Sequence, residues 1–147
     1  MSRIAGILLV LCLSWTPEAL AQDAKQDETV IRGLIAALDR GERVAVLDDN
    51  VFWSGAYQKP SVGKGEAPRR SNRGERHPGT DRAATTVVRL EVAQSRDLAW
   101  EHSNAEVTFT FKDGTKNNFT RSILRVWRKD AGQWKIAATF GLPQYTD

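Results

Sequence analysis

Cysteine is nearly absent from this 147-residue chain: Cys12 is the only one, and there is a single methionine and only two histidines, His77 and His102. One cysteine gives no internal disulfide framework and no cysteine-rich metal site. Neither histidine has a suitably spaced histidine or carboxylate partner on an obvious element, so no metal is expected. No Gly-x-Ser-x-Gly elbow occurs, which removes the usual sequence sign of a serine hydrolase. Gly63-Lys64-Gly65 lacks the strand–loop–helix setting of a phosphate loop, and no nucleotide cofactor or other cofactor is implied. Long apolar runs are missing as well. Residues 4–13 form the longest, Pro17 and Glu18 close it, and a spanning helix needs about 20 apolar residues.

That short run has a different reading. Arg3 gives a positive start, residues 4–13 an apolar centre, and Ala19-Leu20-Ala21 the small-x-small pattern of a cleavage site. Residues 1–21 are therefore expected to be a secretory signal peptide, with a mature domain over residues 22–147 that is secreted or periplasmic and has no membrane span. Cysteine lipidation at Cys12 fits less well, because Leu11 precedes it where a small residue is preferred. Cleavage removes the only cysteine. Arg3 and Glu18 leave together, so the net charge of +3 is unchanged.

The charge is unevenly placed. Residues 59–82 hold seven basic residues (Lys59, Lys64, Arg69, Arg70, Arg73, Arg76 and Arg82) against Glu66, Glu75 and Asp81. The segment has three prolines, four glycines and no periodicity, and reads as one long loop. Arg69, Arg70, Arg73 and Arg76 are candidates for an anionic partner; solvated loop charge is the plainer reading. Nucleic acid is not expected, because single-strand readers interleave aromatics with such charge and residues 61–82 contain none.

Before the loop, Val30, Ile31, Leu34, Ile35 and Leu38 follow helical spacing. Asp23 with Gln26, or Asp27 alone, is expected to cap that helix at its start, and Arg40-Gly41 to end it. A short second helix is expected over residues 42–47, a turn at Asp48-Asp49-Asn50 and a strand at Val51-Phe52-Trp53. After residue 82 the pattern is β to the end. Val88, Leu90 and Val92 share a face of the first strand, Val107, Phe109 and Phe111 alternate along the second, and two further strands follow. Ser95-Arg96-Asp97, Asp113-Gly114 and Asp130-Ala131-Gly132 make the turns. A helix followed by a meander gives an α+β domain. The last two long strands are apolar on both faces, Ile123 and Trp127 opposite Leu124 and Val126, which fits one face packed inward and one at a dimer interface.

Three segments carry a resemblance: Ala36-Ala37-Leu38-Asp39-Arg40-Gly41-Glu42, Ser95-Arg96-Asp97-Leu98-Ala99-Trp100, and residues 124–136 from Leu124 through Trp127 and Trp134 to Ile136. In order and spacing they resemble the nuclear transport factor 2-like superfamily, most of all its SnoaL-like and uncharacterised branches, over about residues 27–142. The resemblance implies a conical roll, a curved antiparallel sheet wrapped around the first helix with a pocket between them, and pairing into a homodimer through the outer sheet face. Ketosteroid isomerase has this fold, with a tyrosine in the first helix, an aspartate base on the first strand and a protonated aspartic acid on a late strand. The corresponding positions here are Leu34, Ser54 and Ile123 or Leu124, so that chemistry is not expected.

Two readings of function remain open beside the basic loop. In the first, a small hydrophobic or amphipathic molecule binds without catalysis; the resemblance puts Trp53, Tyr57, Trp100 and Phe140 at the pocket, and Phe140-Gly141 resembles the Phe-Gly pair of the isomerase pocket wall. In the second, an enzyme of the polyketide cyclase or isomerase type uses Glu101 or Asp49 as base. A useful base needs a dry setting. Glu101 shares the parity of Val107 and would point inward in an unbroken strand, yet carboxylates are mostly exposed, and a surface position is expected for Glu101 and His102.

Overall fold

The structure, a computed structural model, describes residues 17–42, 46–55, 58–66, 82–111 and 113–144. Helix α1 runs over Pro17–Asp39 and is followed by strands β1 (Leu47–Gly55), β2 (Gln58–Val62), β3 (Arg82–Val92), β4 (Leu98–Thr110), β5 (Lys116–Asp130) and β6 (Gln133–Pro143), with a short 3-10 turn at Lys64–Glu66. No described helix is long and apolar enough to cross a membrane. The six strands form one sheet in the order β2-β1-β6-β5-β4-β3. β3 to β6 are the expected antiparallel meander. β1 lies parallel to β6, so the sheet is mixed rather than wholly antiparallel.

Residues on α1 at spacing four, Asp27, Ile31 and Ile35, are all buried. The apolar stripe thus continues one turn further back through an aspartate, and Val30, expected in the stripe, is exposed. The helix also starts earlier than the sequence suggests. Asp23 and Asp27 do not cap it; they lie inside it and bond to Arg96 in the turn after β3. Its far end is as expected. Gly41 has φ +93°, its N–H donates to the Leu38 carbonyl (3.0 Å), and the Glu42 N–H donates to that of Ala37 (3.0 Å). This is the Schellman closure, which needs a left-handed residue that glycine supplies without strain. Asp39 then fastens the helix end to β3, accepting from the Thr85 N–H (2.8 Å) and hydroxyl (2.7 Å).

Three expectations between the helix and the meander are corrected. Leu47 is already strand, so the expected second helix does not extend to it, and residues 43–45 lie outside those described. Asp48-Asp49-Asn50 is part of β1 rather than a turn. The Asp48 carboxylate accepts from the Asn50 N–H (2.9 Å), and the pairing with β6 shifts register between Leu47 and Phe52, so a turn-like local bond is absorbed as a bulge. Residues 58–66 are not loop but β2 and the 3-10 turn. A second bulge at Val88, where Val87 opposes Ser103 and Arg89 opposes His102, turns Val88 outward and leaves Leu90 buried, so the two do not share a face.

Two apolar clusters lie on the sheet face that meets α1, called here the inner face. The larger joins Ile31 and Ile35 to Val46, Leu47, Val51, Leu90, Ala99, Trp127, Trp134 and Ile136. The smaller, further along β4 and β5, consists of Ala105, Val107 and Ile123 with Phe111 and Phe119 against them.

Candidate functional site

Between these clusters the inner face turns polar. On β4 the buried positions alternate as Ala99, Glu101, Ser103, Ala105 and Val107, and on β5 as Ile123, Arg125 and Trp127. Strand parity alone therefore carries Glu101 inward, and it is 0% exposed. The expectation of a surface Glu101 is wrong, because the strand has no bulge between Glu101 and Val107 and the carboxylate finds partners inside. The Ser103 hydroxyl donates to Oε1 (2.9 Å), the Trp127 indole N–H donates to Oε2 (2.7 Å), and the Arg125 guanidinium forms an ion pair with Oε1. A buried charge needs such pairing. His102 does face outward, half-buried, within 2.8 Å of the Ser122 hydroxyl.

Register extends this cluster into rows across the sheet. Leu90, Glu101, Arg125, Thr139 and Trp53 stand side by side from β3 to β1. The neighbouring row is Val87, Ser103, Ile123, Gly141 and Gly55. Along this row β6 and β1 contribute two adjacent glycines. Among the described residues nothing lies within 4 Å of the point where a Cβ on Gly141 would stand. A bare, open patch is thus bordered by Ile123 of the smaller cluster and by the Arg125 row.

A second polar group joins α1 to the strand ends. Asp27 accepts from Lys129 (2.6 Å), the Trp134 indole (3.0 Å) and Arg96 (2.9 Å), and Arg96 also reaches Asp23 (2.6 Å). Burial alone would raise the Asp27 carboxyl, but the bonds from Lys129, Trp134 and Arg96 outweigh it and hold the group below its ordinary value. Arg96 has φ 59° in the β3–β4 turn, an unusual conformation for a non-glycine residue. Asp48 is likewise held low, by the Asn50 N–H against the opposing effect of burial and with help from Arg128 at 2.5 Å.

The aromatic candidates do not share one face. Trp53 is inward, packed at the edge of the larger cluster, with its indole donating to the Gly63 carbonyl at 3.3 Å. Trp100 and Phe140 fall on the outer face: Trp100 pairs with Val126 and lies under Arg89 (5.4 Å to the ring centre), and Phe140 pairs with Leu124 and touches Phe52 (5.6 Å between rings). The bulge between the Val126–Ala138 and Trp127–Ile136 pairs sets this parity, putting Thr139 and Gly141 inside and Phe140 outside. Tyr57, Arg69, Arg70, Arg73 and Arg76 lie outside the described residues. Asp49 is exposed on β1 and paired with Lys64 at 2.6 Å, whose hydrogen bond and charge hold its carboxyl low. Leu34 is half-buried on α1, and Ser54 pairs with Phe140 and so takes the outer face. Among the described residues no group of three or more His, Cys, Asp or Glu could hold a metal.

Solved structures settle the architecture. A ketosteroid isomerase-like protein from Erwinia carotovora superposes with a TM-score of 0.59 at 21% identity, over 89% of this chain and 100% of the other. A nuclear transport factor 2-like protein of unknown function from Prochlorococcus gives 0.62 at 19% identity, over 82% and 94%. The fold is the nuclear transport factor 2-like roll. The association domain of C. elegans CaMKII shares it, with a TM-score of 0.57 at 15% identity over 84% of this chain and 98% of that one. No family profile matches the sequence, and no curated relative does. The α+β class and the conical roll expected from the sequence are thus established, and the fold is compatible with small-molecule binding.

Proposed function

We propose that this chain is an exported, non-catalytic binder of a small hydrophobic or amphipathic molecule, which rests on the inner face over Gly141. The observation that carries the reading is the open glycine patch beside an apolar wall of Ile123, Val107 and Phe119. Apolar walls with a few placed polar groups are the common form of such sites. Export rests on the layout of residues 1–21. The enzyme reading is weaker. Both Glu101 oxygens accept bonds from protein donors, and Asp49 is solvent-facing with its carboxyl held low, so neither is set to take a proton from a ligand.

Gly141→Leu tests the site. Its Cβ meets nothing among the described residues, so the variant is expected to fold normally while its side chain fills the patch. 2-Octanone added to the labelled wild-type protein should shift the amide resonances of Ser103, Ile123 and Gly141. The variant should bind the ketone at least about tenfold more weakly, the loss of about 1.4 kcal/mol of contact. Equal binding by both proteins, or none by the wild type, rejects the reading.

A second copy is the expected partner. Leu124, Phe140 and Leu142 are exposed side by side on the outer face, next to Phe52, Val126 and Trp100. Apolar groups clustered in this way mark interaction surfaces, and one solved structure of similar fold is an association domain. Leu124→Lys should convert a sedimenting dimer into a monomer with unchanged circular dichroism; a wild-type monomer at high concentration would exclude the pairing. The basic-loop reading predicts salt-sensitive binding to an anionic partner through Arg69, Arg70, Arg73 and Arg76.

A further inference from the structure

Midway along the outer face, a group that can change charge sits inside the apolar patch. Strand parity puts His102 between Trp100 and Asn104 on β4 and opposite Leu124 on β5, with Phe140 next in the same row on β6. Its half-buried ring has Nε2 within 2.8 Å of the Ser122 hydroxyl, a neutral partner. On β3 the same row holds Arg89, a cation. Arg89 lies over the Trp100 ring, 5.4 Å from its centre, and donates to Glu91 (2.7 Å), so that carboxylate is already shared. Ser122, Leu124 and Phe140 carry no charge. Glu106 on β4, Arg128 on β5 and Lys135 on β6 share the face but stand two rows away.

The surrounding patch suits a second copy in size. It reaches from Val62 and Phe52 on one side to Val88 on the other, across six strands or about 24 Å. From Leu98 to Asn104 it runs about 20 Å. Such a face is on the order of 500 Å², against the roughly 800 Å² that each partner gives to a stable pairing, so it would form most of the interface and its rim the rest. That rim is self-complementary in charge, since Arg89 and Glu91 stand exposed beside each other on β3. A two-fold pairing uses one patch on both chains and therefore covers His102 twice.

Histidine is the side chain whose charge ordinarily changes between about pH 5 and pH 8. Neutral, it is a polar ring with a hydroxyl partner and is covered at little cost. Protonated, it would be a cation shut away from water beside Arg89, with a hydroxyl and no carboxylate to offset it. We infer that acid undoes the self-pairing of the outer face, with His102 as the group that senses the proton. This rests on the pairing reading above and adds its control. A proton bound more readily by the free chain than by the pair drives the pair apart. Pairing is therefore favoured above the histidine range and weakens as the pH falls through it.

Sedimentation at about pH 7.5 and about pH 5 tests the switch. The wild-type dissociation constant should be at least about tenfold larger at the lower pH, with unchanged circular dichroism, since one unit of difference in proton affinity is tenfold. Between those values its logarithm should rise by up to about two per pH unit, because two His102 side chains take up protons together, a readout independent of any variant. His102→Gln, neutral throughout, should pair alike at both, and His77→Gln should keep the wild-type dependence. Equal wild-type constants, or a His102→Gln protein that weakens as much as the wild type, overturns the switch and leaves the pairing standing. Loss of the circular dichroism signal at the lower pH overturns it too, because unfolding would then part the chains. A wild type that sediments like Leu124→Lys at the higher pH rejects the pairing and the switch with it.

Discussion

Replacing Arg125 with methionine is expected to lower the stability of the folded protein by about 3–5 kcal/mol, the usual cost of stranding one partner of a buried ion pair. The reason lies in the surroundings of Glu101. It has no solvent contact, its remaining donors are an indole and a hydroxyl, and neither carries the charge that the carboxylate requires. For a domain of this size such a loss moves the melting midpoint by roughly 10–20 °C. Adding Glu101→Leu should recover most of it, because the second substitution removes the stranded charge. A residual cost of about 1–3 kcal/mol should remain, since the Trp127 indole and Ser103 hydroxyl lose their acceptor. A double-mutant cycle in urea measures both numbers. A single-variant loss below about 1 kcal/mol would show the pair to be solvated rather than buried.

Asp27→Ala is expected to cost about 2–4 kcal/mol, because one buried carboxylate serves three donors from separate elements. Its effect should be local as well. Amides of α1 from Asp23 to Val30 should exchange faster with solvent, since Asp23 and Asp27 dock that half of the helix, while those near Ile35 keep their protection. The pH dependence has a definite sign. A carboxyl whose folded value lies below its unfolded value stabilises the protein fully above the unfolded value, near pH 4, and that contribution fades as the pH falls through the folded value. The wild type should therefore lose more stability than the variant on going from about pH 5 to pH 3. Parallel curves for the two proteins would count against the clasp. Asp48 is held low by Asn50 and Arg128 and titrates in the same window in both, so the difference between the curves isolates Asp27.

The sequence announced the architecture through signals that depend on few residues at a time: helical spacing over α1, Gly41 at its end, and Asp-Gly and Ala-Gly turns between alternating strands. What escaped depended on register. A single extra residue reverses the faces of everything beyond it, and the described strands show four register shifts. The one at Val88 parts it from Leu90, and the one in β6 sends Phe140 outward and Gly141 inward. Glu101 was legible by parity, and general exposure of carboxylates argued against it; Arg125, on the parity of Ile123 and Trp127, is the partner that resolves the conflict. Asp27, like Asp23, suits a helix cap by its side chain alone. Its true partners are 69 and more residues away, out of reach of any local pattern.

The parallel pairing of β1 with β6 also sets the order in which the molecule can be completed. β3 to β6 are joined by short turns and can zip together from near neighbours. β1 meets β2 close by, but its second partner, β6, only across the whole meander, and α1 is pinned by Lys129 and Trp134 on β5 and β6. Pairings of such sequence separation form slowly, since the intervening chain must be closed first. A ribosome delivers α1 and β1 first and β6 last, so their contacts with β6 wait until the last strand has emerged, although β2 and β3 reach them earlier. For an exported chain that delay would be useful: a domain that cannot close early stays threadable.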